Sequence, residues 1–167
     1  AGLAAFHGAK RRFQTKGKEG GVWVVDDYAH HPTEIAATLK AAKETNPKRL
    51  ICVFQPHRYS RTQLLYEEFG RAFISADVLF LTDVYAAGEA PIAGISGQTI
   101  ESEVERQTAA KPIYVEKRED LAPTLKDFVQ AGDLVITMGA GSIGTIPAQI
   151  VARMSATTPS RQGAEHE

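Results

Sequence analysis

The chain has 167 residues, 43% hydrophobic and 23% charged, with a formal net charge of −1. This length points to one domain, and the near-neutral balance supplies no global field to gather nucleic acid or an anionic membrane. The single cysteine, Cys52, excludes an intrachain disulfide framework and suits a reducing compartment, and no run approaches the roughly 20 apolar residues of a membrane span.

Residues Ala1 to Ala9 read as the tail of a helix ended at Gly8. Their apolar part precedes the basic residues, which is not a signal-peptide layout, and without an initiator methionine the sequence is expected to be a piece of a longer chain. The run Lys10-Arg11-Arg12 fits a solvated surface, or else a phosphate or nucleotide contact near a hinge. Phe13-Gln14-Thr15 and Val22–Asp26, separated by the Gly-rich Gly17 to Gly21, predict a hairpin. Thr33 to Lys43 sets Ile35, Leu39 and Ala42 on one helical face, with Pro32 suited to the first position. Leu50–Phe54 is a continuous apolar strand, and Arg61 to Ser75 a helix through Leu64, Leu65, Phe69, Ala72 and Phe73. Val78 to Leu81 is another strand, Asp83 to Gly97 a loop rich in Gly and Ala, and Gly97 to Thr108 a charged helix. Pro112 to Val115 is a short strand and Leu121 to Gln130 a helix. Leu134–Met138 is the last strand, followed by Gly139 to Gly144 and a short helix from about Pro147 to Met154.

Short apolar strands alternating with helices predict an α/β fold. It is a Rossmann-like, mostly parallel sheet of about six strands, with helices on both faces and one antiparallel N-terminal edge strand. The expected domain is 1–154, with 155–167 a polar, disordered tail.

The stretches that carry chemistry follow the strands. Asp26-Asp27-Tyr28-Ala29-His30-His31-Pro32 ends one strand just before a helix, where open α/β sheets bind ligands. Gln55 to Thr62 (QPHRYSRT) follows the next strand, and adjacent pairing would set it beside Asp26–Pro32. Arg58 and Arg61, three apart at a helix start, can share one face. Guanidinium forks with free helix N–H groups suit a carboxylate or phosphate; the alternative is a surface pair in salt bridges. Asp26, Asp27, His30, His31 and His57 have the ligand types of a zinc-like site. Their spacing is poor, with no i,i+4 His pair and Pro32 blocking a helix through His31, so no metal is expected. His31, more than His30, is expected to act as a helix cap or core partner.

Gly139 to Gly144 (GAGSIG) fits the G-x-G-x-x-G of a dinucleotide site after a strand, but that fingerprint belongs in a βαβ unit with an acidic residue about 20 positions on, and a polar tail stands there instead, so dinucleotide binding is not expected. The glycines are instead expected to permit a tight turn and close backbone approach at the sheet edge, with a minor ligand contact as the alternative. No P-loop sequence is present. Asp83 to Ile92 is too long for a plain turn and reads as a functional loop, with Glu89 its residue of interest.

The strings GAKRRF, DDYAHHPTE, FQPHRYSRT, DVYAAGEAPI and GDLVITMGAGSIG stand here in the order found in the Mur ligases of peptidoglycan synthesis. From Ala9 to about Ile150 the chain resembles the C-terminal domain of that family. FQPHRYSRT resembles the alanine-adding branch, and Ser142 stands where the family often has an acidic residue. The resemblance implies a cytoplasmic, ATP-dependent, amide-forming ligase of three domains. Upstream domains would hold UDP-N-acetylmuramate, and ATP with Mg2+, and this domain would bind L-alanine and close over ATP. ATP phosphorylates the muramoyl carboxylate, and the alanine amine attacks the acyl phosphate.

On that resemblance Arg58 and Arg61 hold the alanine carboxylate, with Tyr28 and His30 beside it. Asp27 reaches the ATP ribose hydroxyls, and Arg12 approaches the nucleotide or the hinge. His57 and Glu89 are secondary candidates. No residue of this fragment alone is expected to be catalytic, and the isolated fragment is expected to lack ligase activity. The expected partners are these small molecules and the chain's own upstream domains, with no nucleic acid and no membrane insertion. The alternatives are a free-standing Rossmann-like nucleotide-binding or regulatory module, or a metal hydrolase on the Asp/His cluster.

Overall fold

A computed structural model describes residues 12–157. The helix tail expected at Ala1 to Ala9, the basic Lys10 and Arg11, and residues 158–167 lie outside the described residues.

The strands are β1 (Gln14–Glu19), β2 (Val22–Asp27), β3 (Arg49–Phe54), β4 (Val78–Leu81), β5 (Ile113–Tyr114) and β6 (Asp133–Met138). The helices are α1 (Pro32–Glu44), α2 (Tyr59–Ala72), α3 (Gly97–Gln107), α4 (Leu121–Phe128) and α5 (Ile146–Thr157). Single turns of 3-10 helix at Arg118–Asp120 and Ser142–Thr145 lead into α4 and α5. The sheet order is β1-β2-β6-β3-β4-β5. Only the β1–β2 pair is antiparallel. The expected fold class is therefore the observed one, a mixed, mostly parallel sheet with one antiparallel edge.

Strand alternation divides the core in two. Leu50, Cys52 and Phe54 of β3 and Leu134, Ile136 and Met138 of β6 face α1, α2 and α3. Ile51 and Val53 of β3 and Val135 of β6 face α4 and α5. A sheet covered on both faces needs strands that are apolar at every position, which is why these read as continuous runs. Full burial of Ile35 and Leu39 contributes roughly 1.5–3 kcal/mol each. That exceeds the few tenths by which helix propensities differ among most residues, so packing holds α1. His31 caps it as anticipated. Its side chain accepts from the Thr33 N–H at 3.3 Å, and Glu34 accepts from the His31 N–H at 3.2 Å.

Four details differ from the sequence reading. Gly17 to Glu19 belong to β1, and the hairpin turns on Gly20 and Gly21 alone, both at positive φ. Leu64 is 80% exposed, because the seam of α2 runs through Thr62, Leu65, Phe69, Ala72 and Phe73, one residue out of phase with it. The last helix continues to Thr157, three residues beyond Met154. Finally, β6 is not at an edge. It is inserted between β2 and β3, pairing with both, so the strands that carry the two polar clusters are not neighbours.

Candidate functional site

Parallel pairing puts the C-terminal ends of β2, β6 and β3 on one rim. Asp27 and Phe54 are both in register with Met138. The polar clusters leave the outer two strands, and the glycine turn leaves the middle one. Gly139 sits at φ +145, and a Cβ there would lie 2.8 Å from the Gln55 carbonyl oxygen. A side chain at this point would push the clusters apart. Gly141 similarly admits the ring of Tyr85, which a Cβ would meet at 2.6 Å. The close approach expected of these glycines is present, but in the interior of the sheet.

Gln55 locks the turn in place. Its Oε1 accepts from the Ile143 N–H at 2.9 Å, and its Nε2 donates to Ser142 Oγ at 3.2 Å. Over this bridge the rings of His30 and His57 come within 6.1 Å. His57 is stacked on Tyr85, with centroids 5.7 Å apart and planes at 20°. Burial, then the positive charges of Arg61 and Arg58, lower the His57 pKa from its ordinary value. His57 Nδ1 and Arg61 Nη1 are both buried without a hydrogen-bond partner. A buried polar nitrogen of this kind costs free energy until a ligand or water meets it.

Arg58 precedes α2 with φ +72 and ψ 139 and offers the helix no side-chain cap. The loop after β4 holds this segment instead. Tyr85 accepts from the Arg58 N–H at 2.8 Å and donates its own N–H to the Pro56 carbonyl at 2.9 Å. Glu89 accepts from the Ser60 N–H at 3.1 Å and from the Ser60 hydroxyl. These Ser60 bonds, with help from Arg58, hold the Glu89 carboxyl below its ordinary pKa.

On the β2 side, His30 Nδ1 lies 3.1 Å from the Tyr28 carbonyl. A carbonyl can only accept, so this contact is a hydrogen bond when Nδ1 carries a proton. Tyr28 packs edge-on against His30 at 5.2 Å and is 42% exposed. Asp27 is nearly buried; its Oδ1 accepts from the Ala29 N–H and its Oδ2 from the Phe13 N–H, both at 2.8 Å. Burial raises its pKa against those bonds and the nearby Arg12 charge. Arg12, Asp27, Tyr28 and Glu34 line a pocket of about 280 Å³.

The structure thus brings Tyr28, His30, His57, Arg58 and Arg61 to one rim, with Asp27 and Arg12 in an adjoining pocket. Among the described residues no group of three or more His, Cys, Asp and Glu side chains could hold a metal ion. Sequence reading missed the organising parts of Gln55, Tyr85 and Ser60. Gln55 was the detectable one, a polar residue directly continuing the apolar strand Leu50–Phe54.

A mostly parallel sheet with an antiparallel N-terminal edge, carrying a rim of histidines and arginines at its strand C-terminal ends, defines a Rossmann-like α/β domain with a candidate ligand site. The chain belongs to the family of Mur ligase C-terminal domains, whose description, "Mur ligase, glutamate ligase domain", matches residues 11–141. It is 47% identical over 152 residues to the UDP-N-acetylmuramate–L-alanine ligase of Desulforamulus reducens, covering 91% of this chain and 33% of that protein. To the ligase of the same name from Geobacter sulfurreducens it is 52% identical over 143 residues, covering 85% and 31%. Among solved structures it matches the UDP-N-acetylmuramate-alanine ligase of Thermotoga maritima, with TM-score 0.72 and 28% identity over 89% of this chain and 30% of that one. The chain spans about a third of the length of the curated relatives it matches.

Proposed function

We propose that the chain is the amino-acid-binding domain of an ATP-dependent ligase that joins L-alanine to UDP-N-acetylmuramate in peptidoglycan synthesis. The observation that carries this reading is the pair of buried, unpartnered nitrogens, Arg61 Nη1 and His57 Nδ1, on the same ligand-binding rim. A carboxylate supplies the acceptor that Arg61 lacks, and Arg58 stands at the same helix start. With the proton on Nδ1, the His30 ring offers Nε2 as an acceptor for the amine, with Tyr28 against its edge. The names of the relatives, which specify alanine, support the same ligand.

The neighbouring pocket suits a nucleotide. Each Asp27 oxygen uses one lone pair on a backbone N–H and keeps acceptor capacity for a ribose hydroxyl, and Arg12 adds a positive charge beside it. As the resemblance implies, Mg2+ would be held mainly by the central domain of the full-length protein. When bound, ATP supplies the phosphoryl group that makes the sugar carboxylate an acyl phosphate. The part of this domain is to hold the amine donor in line, which converts a bimolecular encounter into a positioned one. No described helix is long and apolar enough to cross a membrane.

The test is Arg61→Ala in the full-length protein. The KM for alanine should rise roughly 10- to 150-fold, the range for a charge-assisted hydrogen bond, while that for ATP holds. A rise confined to ATP would overturn the assignment. The 167-residue chain alone should release no phosphate from ATP and UDP-N-acetylmuramate.

A further inference from the structure

Helix α2 begins without a cap from its own sequence. Arg58, at the cap position, makes no side-chain bond to the helix and is held at positive φ, a conformation that a residue with a Cβ keeps only when its surroundings impose it. Yet this turn displays both arginines. A free helix start frays, and fraying here would scatter the two guanidiniums.

We propose that Glu89 is a positioning residue for amino-acid binding, capping α2 from the neighbouring loop so that Arg58 and Arg61 stay poised for a carboxylate. The proposal rests on the reading of Arg58 and Arg61 given above. Glu89 takes both donors of Ser60, the second residue of the helix, its N–H at 3.1 Å and its hydroxyl. This is the work of an N-cap side chain, done from 29 residues away. Its loop is fastened on either side of His57, through Tyr85 O to the Arg58 N–H and through Tyr85 N to the Pro56 carbonyl. The other end of the loop is pinned where Asp83 Oδ1 accepts the Gly97 N–H at 3.0 Å. Glu89 is thereby built into the start of α2, within electrostatic reach of Arg58 and His57.

Two features separate positioning from simple stabilisation. The loop is peripheral, so loss of Glu89 frees the arginines and leaves the Asp27–Arg12 pocket as it is. Glutamine also keeps the reach, its Oε1 accepting from the Ser60 N–H and its Nε2 donating to the Ser60 hydroxyl, so it should serve where alanine and aspartate do not.

The experiment uses the full-length protein, with the KM for alanine and for ATP measured for Arg58→Ala, Glu89→Ala, Glu89→Gln and Glu89→Asp. Glu89→Ala should raise the alanine KM about 3- to 30-fold, the range of lost caps, and leave the ATP KM within twofold. Glu89→Gln should recover most of that, and Ser60→Ala combined with Glu89→Ala should be less than additive. If Arg58→Ala raises the alanine KM and Glu89→Ala does not, the positioning role is overturned and the site reading stands. If Glu89→Ala raises both KM values together and lowers Tm, its role is general stability and the proposal fails. If Arg58→Ala leaves the alanine KM unchanged, the reading beneath it fails.

Discussion

The His30 and His57 rings lie 6.1 Å apart although the strands that deliver them, β2 and β3, are separated by β6. The two clusters meet because the chain leaving β6 has no side chain at Gly139 and turns beneath them. Gly139→Ala should therefore destabilise the domain by about 2–3 kcal/mol, combining positive φ with contact to the Gln55 backbone. Urea unfolding checks the stability loss, and the site should loosen with it, seen as weaker alanine binding in the full-length protein.

Gln55 makes the same junction with hydrogen bonds. Gln55→Leu keeps similar bulk but leaves the buried Ile143 N–H without its acceptor, which should cost about 1–3 kcal/mol. The midpoint of denaturant unfolding should fall, and hydrogen exchange at the Ile143 amide should rise above the level of strand β6.

His57 should give a pH signature. Its folded pKa is lowered from 6.5 by burial first, then by Arg61, Arg58 and His30, with Glu89 opposing. Above pH 6.5 the ring is neutral in both states, and its contribution to stability is fully present. As pH falls through that value the unfolded chain takes a proton that the folded one resists, so stability falls down to the depressed folded value. Replacement by Asn should remove this part of the slope, measured as the difference in urea-unfolding free energy between the two proteins from pH 7.5 to 5.

Asp27 ties the start of the described chain to the end of β2 and borders the pocket proposed for the nucleotide. Asp27→Asn keeps one acceptor oxygen but places an NH2 against either the Phe13 or the Ala29 N–H. The ATP KM of the full-length protein should rise about tenfold or more, with the alanine KM little changed, in line with roughly 1.5–3 kcal/mol for a hydrogen bond to a charged group. An unchanged ATP KM would remove Asp27 from the nucleotide assignment.

The sequence by itself determined the element list, the antiparallel edge, the His31 cap and the residues of the rim. Continuous apolar runs such as Leu50–Phe54 suit a sheet covered on both faces, and Pro32 ahead of the periodic Ile35, Leu39 and Ala42 marks a helix start. The polar clusters likewise stand out where those runs stop. Only the tertiary structure decided that β6 divides β2 from β3, since strand order depends on long-range pairing that no local pattern records. It also decided that Leu64 faces out, because one residue of phase sets a helical face, and that Glu89 caps a helix 29 residues earlier. A hydrogen bond between distant segments is chosen by the folded backbone that brings them together, and a chain read residue by residue does not contain that choice.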